Sequence, residues 1–276
     1  MRTRLHDMLD GALELPGLAG WRRRRFDAAF ASGHYGGHFR GVHRTRAACE
    51  AAMPTTTLPA GYDNAGMAAM YRDRLDRVYP GDYPMLMWLG KAFAAGATRV
   101  FDLGGHVGVA YYAYRRYLDY PAALSWQVHD VPAVMAAGRA LAAGRALAAE
   151  RDTWKQLSFV EDAGAAADAD VLFTSGCIQY LDETLGERIA KLPRRPRWVL
   201  VNLLPLHATE AYWTLQSTGR ALCPYRIQHK PDFLAEFERL GYEMPDLWEN
   251  AEKRCTIAFD EAHSLDRYYG MVFRLR

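Results

Sequence analysis

The stretch Val100-Phe-Asp102-Leu-Gly104-Gly105-His106-Val-Gly108 sets an acid, glycines and an imidazole between two apolar segments. Glycines at such a junction let backbone approach a ligand closely, and a helix that follows presents unpaired N–H groups and a positive dipole end. A glycine turn alone also does no more than join a strand to a helix, so the next acids matter. His129-Asp130 closes the following apolar run. Its offset from Gly104 is near the roughly 20 residues at which a nucleotide-binding fold places the acid that accepts from ribose hydroxyls. After a third run comes Glu161-Asp162, where an acid could accept from an adenine amino group or simply cap a helix.

The order of acid and glycines discriminates between nucleotide ligands. A dinucleotide site wants G-x-G-x-x-G around a pyrophosphate, and Gly104-Gly105-His106-Val107-Gly108 lacks that register. Asp102, two residues before the first glycine, would repel pyrophosphate but can engage the cationic methionine amine of S-adenosylmethionine (SAM). D-x-G-x-x-x-G is the SAM-type pattern. SAM, taken as a substrate, is therefore the expected ligand, with Asp102, Gly104, Gly105, Gly108, Asp130 and Asp162 as its contacts.

These residues need a scaffold, and the chain alternates accordingly. Strands are predicted at 99–103, 124–129, 158–160, 171–174 and 198–204, with helices at 107–118, 133–150, 181–192 and 231–240, and a last edge strand at 269–275. Such alternation builds a parallel sheet covered on both faces. Residues 1–97 read as helical with no strand: 4–15, 22–31, 44–52, 64–78 and 83–95, broken at Leu15-Pro16-Gly17 and Tyr79-Pro80-Gly81. The expectation is an α/β protein of two domains, a helical cap or lid over 1–97 and a Rossmann-like SAM-binding domain over 98–276. A tandem repeat, Gly138-Arg-Ala-Leu-Ala-Ala143 and Gly144-Arg-Ala-Leu-Ala-Ala149, falls inside one predicted helix. Six residues advance a helix by about 600°, so the repeat makes no single face.

Composition narrows the class. Half of the 276 residues are apolar and 24% are charged, at a net charge of +2, which is a globular balance. Apart from Arg22 to Arg25 the positive charges are interspersed with acids, which disfavours nucleic acid. Cys49, Cys177, Cys223 and Cys255 are far apart, so spacing suggests neither a metal site nor a redox pair. With no leader-like apolar stretch and no window of 18 uninterrupted apolar residues, the expected setting is the cytoplasm, away from membranes. The expected partner is a small-molecule substrate, and a homodimer is left open.

Asp102 to Gly108 followed by His129-Asp-Val-Pro132 resembles the class I methyltransferases, particularly the small-molecule O-methyltransferases, which carry D-x-G-G-G-x-G and a D-L-P turn. More specifically, the chain is similar to a bacterial family of methyltransferase-fold proteins that includes SAM-cyclising azetidine-2-carboxylate synthases. The matching segments include Phe39-Arg-Gly-Val42, Asp82-Tyr-Pro84, Ser175-Gly-Cys-Ile-Gln-Tyr180 and Thr214-Leu-Gln-Ser-Thr-Gly219. Further matches are Cys223-Pro-Tyr225, Leu240-Gly-Tyr242 and Asp246-Leu-Trp-Glu-Asn250. This resemblance, spread over about residues 39 to 273, implies a Rossmann-like class I methyltransferase sandwich.

It also frames the chemistry. Plant-type O-methyltransferases place a histidine base after the fourth strand, where this chain has Ser175 to Tyr180, so an acceptor proton has no obvious taker. The resemblance implies asparagine or glycine at the position of His106, facing the methionine part of SAM. An imidazole there could keep the α-amine neutral, since its reference pKa of about 7.7 to 8.0 is within reach of a histidine near 6.5. The catalytic candidates are then His106, Ser175 and Tyr180, with Tyr111, Trp213 and Tyr225 as further aromatic walls for the sulfonium. The leading expectation is attack of the amine on its own γ-carbon, which gives azetidine-2-carboxylate and 5′-methylthioadenosine. Methyl transfer to a small specialised metabolite is the alternative, and a SAM-binding module without turnover is a third.

Overall fold

The computed structural model describes residues 16–34, 36–70, 74–149 and 156–276. In chain order its first elements are α1 (Pro16–Ala31), β1 (His38–His43), α2 (Arg46–Ala51), α3 (Ala65–Ala68), α4 (Tyr83–Ala94), β2 (Arg99–Leu103), α5 (Val109–Tyr114) and β3 (Ser125–His129). There follow α6 (Pro132–Ala149), β4 (Leu157–Phe159), β5 (Val171–Ser175), α7 (Leu185–Ala190), β6 (Trp198–Leu204), β7 (Leu206–His207) and β8 (Tyr212–Ser217). The last are β9 (Leu222–His229), α8 (Lys230–Arg239), β10 (Tyr242–Asn250), β11 (Cys255–Ile257), β12 (Asp260–Leu265) and β13 (Tyr268–Leu275).

The main sheet runs β10-β13-β6-β5-β2-β3-β4. Its five members from β4 to β6 are parallel, while β13 is antiparallel to both β6 and β10. Alternation of side chains along each strand explains the two cores. Val100, Val171, Phe173 and Leu200 face one side with Leu89 of α4 and Tyr111 of α5. Phe101, Leu172, Val199 and Val201 face the other with Ile189 of α7 and Phe237 of α8. Both faces are thus apolar and covered by helices, as a parallel sheet requires. This is a mixed α/β fold built on a largely parallel sheet, as the alternation of strands and helices predicts.

A second sheet, β12-β11-β1-β8-β9-β7, was not foreseen. It corrects the expectation of no strand before residue 97, because β1 pairs with β8 and β11, with Phe39 opposite both Gln216 and Ile257. Such partners lie far along the chain, so local patterning does not reveal the strand. Phe39, Tyr212, Tyr225 and Ile257 fill the core of this layer.

Other differences are local. The helix expected over 64–78 is only α3 in the described part, opened by the Asn64 side chain accepting from Met67 N at 3.1 Å. The helix expected over 4–15 lies outside the described residues. The strand expected at the edge, β13, is internal, and the edge is β10. Pro245 lies where the β10–β13 register shifts, between Glu243 and Asp246, and an edge tolerates a proline because its missing N–H leaves no ladder bond broken.

Candidate active site

Sheet order leaves a crevice beyond the carboxyl ends of β2 and β5, since the chain proceeds from β2 to one neighbour and reaches the other later. Two loops close on it, Gly104 to Gly108 after β2 and Gly176 to Tyr180 after β5. Gly104 adopts φ +73°, a left-handed conformation, and its N–H donates to the His129 carbonyl at 2.8 Å. A Cβ on Gly104 would fall on Cys177 Sγ, well inside the 3.0 Å that real Cβ contacts respect. The two loops therefore touch at a point where only glycine fits.

Asp130 organises the glycine loop. One of its carboxylate oxygens accepts from the His106 backbone N–H at 2.9 Å and the other from Val131 N at 2.7 Å. Burial pushes this carboxyl up, against the pull of those two N–H groups. Asp102 is 1% exposed and accepts from the Trp126 indole N–H at 3.0 Å. Burial pushes its carboxyl up to about 7, and the neighbouring Asp130 adds to the rise.

His106 has φ +56° and is buried. Its Nε2 lies 2.9 Å from the Met67 carbonyl, so Nε2 carries the proton and donates. Burial pushes the imidazole below its usual range, which keeps the ring neutral. The bond also joins the glycine loop to α3 of the N-terminal segment.

These groups share a cavity of about 920 Å³, whose lining includes Asp102, Gly104, Gly105, His106, Asp130, Ser175 and Tyr180. The structure thus brings together every expected catalytic residue and most of the expected SAM contacts. Two contacts are corrected. Gly108, at φ +88°, caps α5 and packs toward Leu157 and Tyr112, so its glycine serves the turn. Asp162 turns to accept from Gly164 N at 2.7 Å and opens the 3-10 helix Ala163–Asp168, leaving Glu161 on the cavity wall.

Among the expected aromatic walls, Tyr180 and Tyr225 line the cavity. Tyr111 is instead fully buried against Trp126, and Trp213 packs with Phe30 and Leu215 behind the second sheet. Cavity residues without a sequence signal include Tyr62, Tyr114 and Lys253, whereas Asp82 opens the matching segment Asp82-Tyr-Pro84. Gln179 also lines the wall, and its place inside the Ser175 to Tyr180 segment was the available clue.

The residues fit SAM. A half-buried acid follows β3, a buried one sits beneath the loop, and left-handed backbone brings the loop against the crevice. They suit no metal by spacing, and no group of three or more potential ligands clusters among the described residues. No helix there is long and apolar enough to cross a membrane.

No family model and no curated protein matches the chain. Solved structures give distant likenesses. An O-methyltransferase family protein from Burkholderia thailandensis is 16% identical over 76% of this chain, with a TM-score of 0.44, and this chain spans 59% of its length. A 1,6-didemethyltoxoflavin-N1-methyltransferase of the same organism, solved with 1,6-didemethyltoxoflavin and S-adenosylhomocysteine, is 16% identical over 81% of this chain and 94% of its own, with a TM-score of 0.45. PH0226 from Pyrococcus horikoshii OT3 is 11% identical over 78% and 95% of the two chains, with a TM-score of 0.47.

Proposed function

We propose that the chain is a SAM-dependent methyltransferase acting on a small molecule, with SAM held by the loop after β2 and the acceptor held between the two sheets. One observation carries this reading: the cavity is continuous from Asp102, Gly104 and Asp130 to Phe39, Tyr180, Gln216 and Tyr225 at the second sheet. A volume near the top of the usual range of about 300 to 1,000 Å³ for ligand sites suits two molecules side by side. When bound, SAM supplies an electrophilic methyl group on sulfur.

The chain's own residues supply the rest. Asp130 accepts from the ribose hydroxyls, Asp102 faces the methionine ammonium, and Glu161 is the acid placed for the adenine edge. Loop, cap and second sheet surround the reacting centre and exclude water, which strengthens each polar contact. Burial raises the Cys177 thiol and pushes Cys223 up to about 12, so neither is a ready base. Proton removal before attack thus falls to neither thiol, which favours an acceptor whose nucleophilic lone pair is already available.

Intramolecular cyclisation is the second reading, and His106 favours it. Its neutral ring lines the cavity beside Asp102, where it could orient the amine of SAM for closure to azetidine-2-carboxylate. Nucleoside analysis after incubation separates the two. Adenosylhomocysteine formed only when an acceptor is present supports methyl transfer, whereas methylthioadenosine and azetidine-2-carboxylate formed together from SAM alone, above the spontaneous rate, support cyclisation. SAM binding with neither product leaves a binding module.

A further inference from the structure

Asn202 on β6 ties two loops together at one end of the cavity. It is buried, its Nδ2 donates to the Gly81 carbonyl at 3.0 Å, and its Oδ1 accepts from Asn250 Nδ2 at 3.0 Å. Gly81 belongs to the turn before α4, and Asn250 ends β10 where the chain leaves the main sheet for β11 of the second. Arg74, Arg77 and Lys253, carried by these two segments, all line the cavity. Both guanidinium groups lie over one ring, that of Tyr79, at 4.8 Å for Arg74 and 5.1 Å for Arg77. The charges of Arg74 and Asp82 both act on Lys253, which places the ammonium in the same cluster.

The acid of this cluster is already engaged. One Asp82 oxygen accepts from the Tyr79 N–H at 3.0 Å, and the Tyr114 hydroxyl is a further partner of the carboxylate. Among the described residues no ion pair joins Lys253 or Arg77 to an acid, and both are exposed. Arg46 differs, for it lines the cavity with Glu50 and Asp182 as its own acids. A cleft wall that carries one sign of charge focuses its field on whatever enters.

SAM does not balance these cations. Its ammonium and carboxylate cancel, and its sulfonium leaves the molecule a net cation. Tyr114 feels the charges of both Asp82 and Asp102, so the cluster adjoins the end assigned to methionine, where an acceptor must meet the methyl group. We propose that Lys253 and Arg77, with Arg74 beside them, hold an acidic group of the acceptor, which makes the substrate a small molecule bearing a carboxylate. The inference rests on the methyl-transfer reading, with the acceptor between the two sheets. Lysine and arginine bind a carboxylate through charge-assisted hydrogen bonds, which are roughly twice as strong as neutral ones.

The probes are benzoate and benzamide, alike in shape and different in charge. Calorimetry first measures adenosylhomocysteine binding, and failure there removes the SAM reading itself. With adenosylhomocysteine bound, benzoate is expected to bind about tenfold or more tighter than benzamide, equivalent to ~1.4 kcal/mol. Lys253→Met should cut that preference about threefold, the scale of one exposed ion pair. Lys253→Met combined with Arg77→Met should erase it, with adenosylhomocysteine affinity unchanged. Added salt should compress the preference in the unaltered protein, because exposed charges are screened. No saturable benzoate binding, equal binding of the two probes, or a preference that survives the double change overturns the proposal. A fall in adenosylhomocysteine affinity as large as that for benzoate also overturns it, since the cations would then hold the methionine carboxylate. Should the double variant not fold, the salt series decides, and a preference that salt leaves intact overturns the proposal.

Discussion

His106 donates from Nε2 to the Met67 carbonyl at 2.9 Å, which joins the glycine loop to α3. The bond fixes the ring's tautomer and ties the N-terminal segment across the cavity. Under methyl transfer His106→Ala should therefore weaken SAM binding about fivefold, one net hydrogen bond of ~1 kcal/mol, and leave turnover at saturating SAM unchanged. Hydrogen exchange at Ala65–Ala68 should quicken. Under cyclisation the same change lowers turnover at saturation, because an interaction made in the transition state is gone.

Gly104 and Cys177 form a second contact on which the site depends. Gly104→Ala places a Cβ on the Cys177 side chain and also holds alanine at φ +73°, which costs about 1–2 kcal/mol by itself. The expected result is a lower melting temperature and loss of adenosylhomocysteine binding. Cys177→Gly, which removes both clashing atoms, should restore part of the loss in the double variant, and strictly additive losses would show that the contact is not the cause.

The legible parts were those in which one short stretch settles its own conformation. Strand β2, its glycine turn and Asp130 are local features, and both acid and turn lie where spacing put them. The second sheet was hidden because Phe39 is positioned by Gln216 and Ile257 rather than by its neighbours. Glu161 and Asp162 differ only in parity. Successive side chains of extended backbone point to opposite sides, and sequence alone does not say which side faces the ligand.

Asp102 gives the protein a pH signature. Burial raises its carboxyl to about 7, above the unfolded value of about 3.9. The folded state thus holds the proton more tightly. This group's contribution is fully present below about pH 4 and is lost as pH rises through about 7. The methionine ammonium favours the ionised form, so SAM affinity should rise as pH increases from about 6 to 7, with protons released on binding. Calorimetry at pH ~6.5 in buffers of different ionisation heat counts those protons. Asp102→Asn should abolish the release, and an unchanged release would remove Asp102 from the site.

The neighbouring acids separate by the same logic. Asp162→Ala removes a cap, with an expected loss of about 1 kcal/mol in stability and little change in adenosylhomocysteine affinity. Glu161→Gln should leave stability nearly unchanged while weakening adenosylhomocysteine. Melting curves paired with titrations check both, and the reverse pattern would return the adenine contact to Asp162.

The most direct test is a calorimetric titration of the unaltered protein and of Asp130→Asn with adenosylhomocysteine, each checked for folding by circular dichroism. Asp130 is half-buried just after β3, with both oxygens directed by backbone N–H groups, so the unaltered protein should bind one equivalent. Loss of two charge-assisted bonds in Asp130→Asn should weaken binding about 100-fold, or ~3 kcal/mol. No binding by the unaltered protein, or equal affinity in a folded Asp130→Asn, would contradict the assignment of this cavity to SAM.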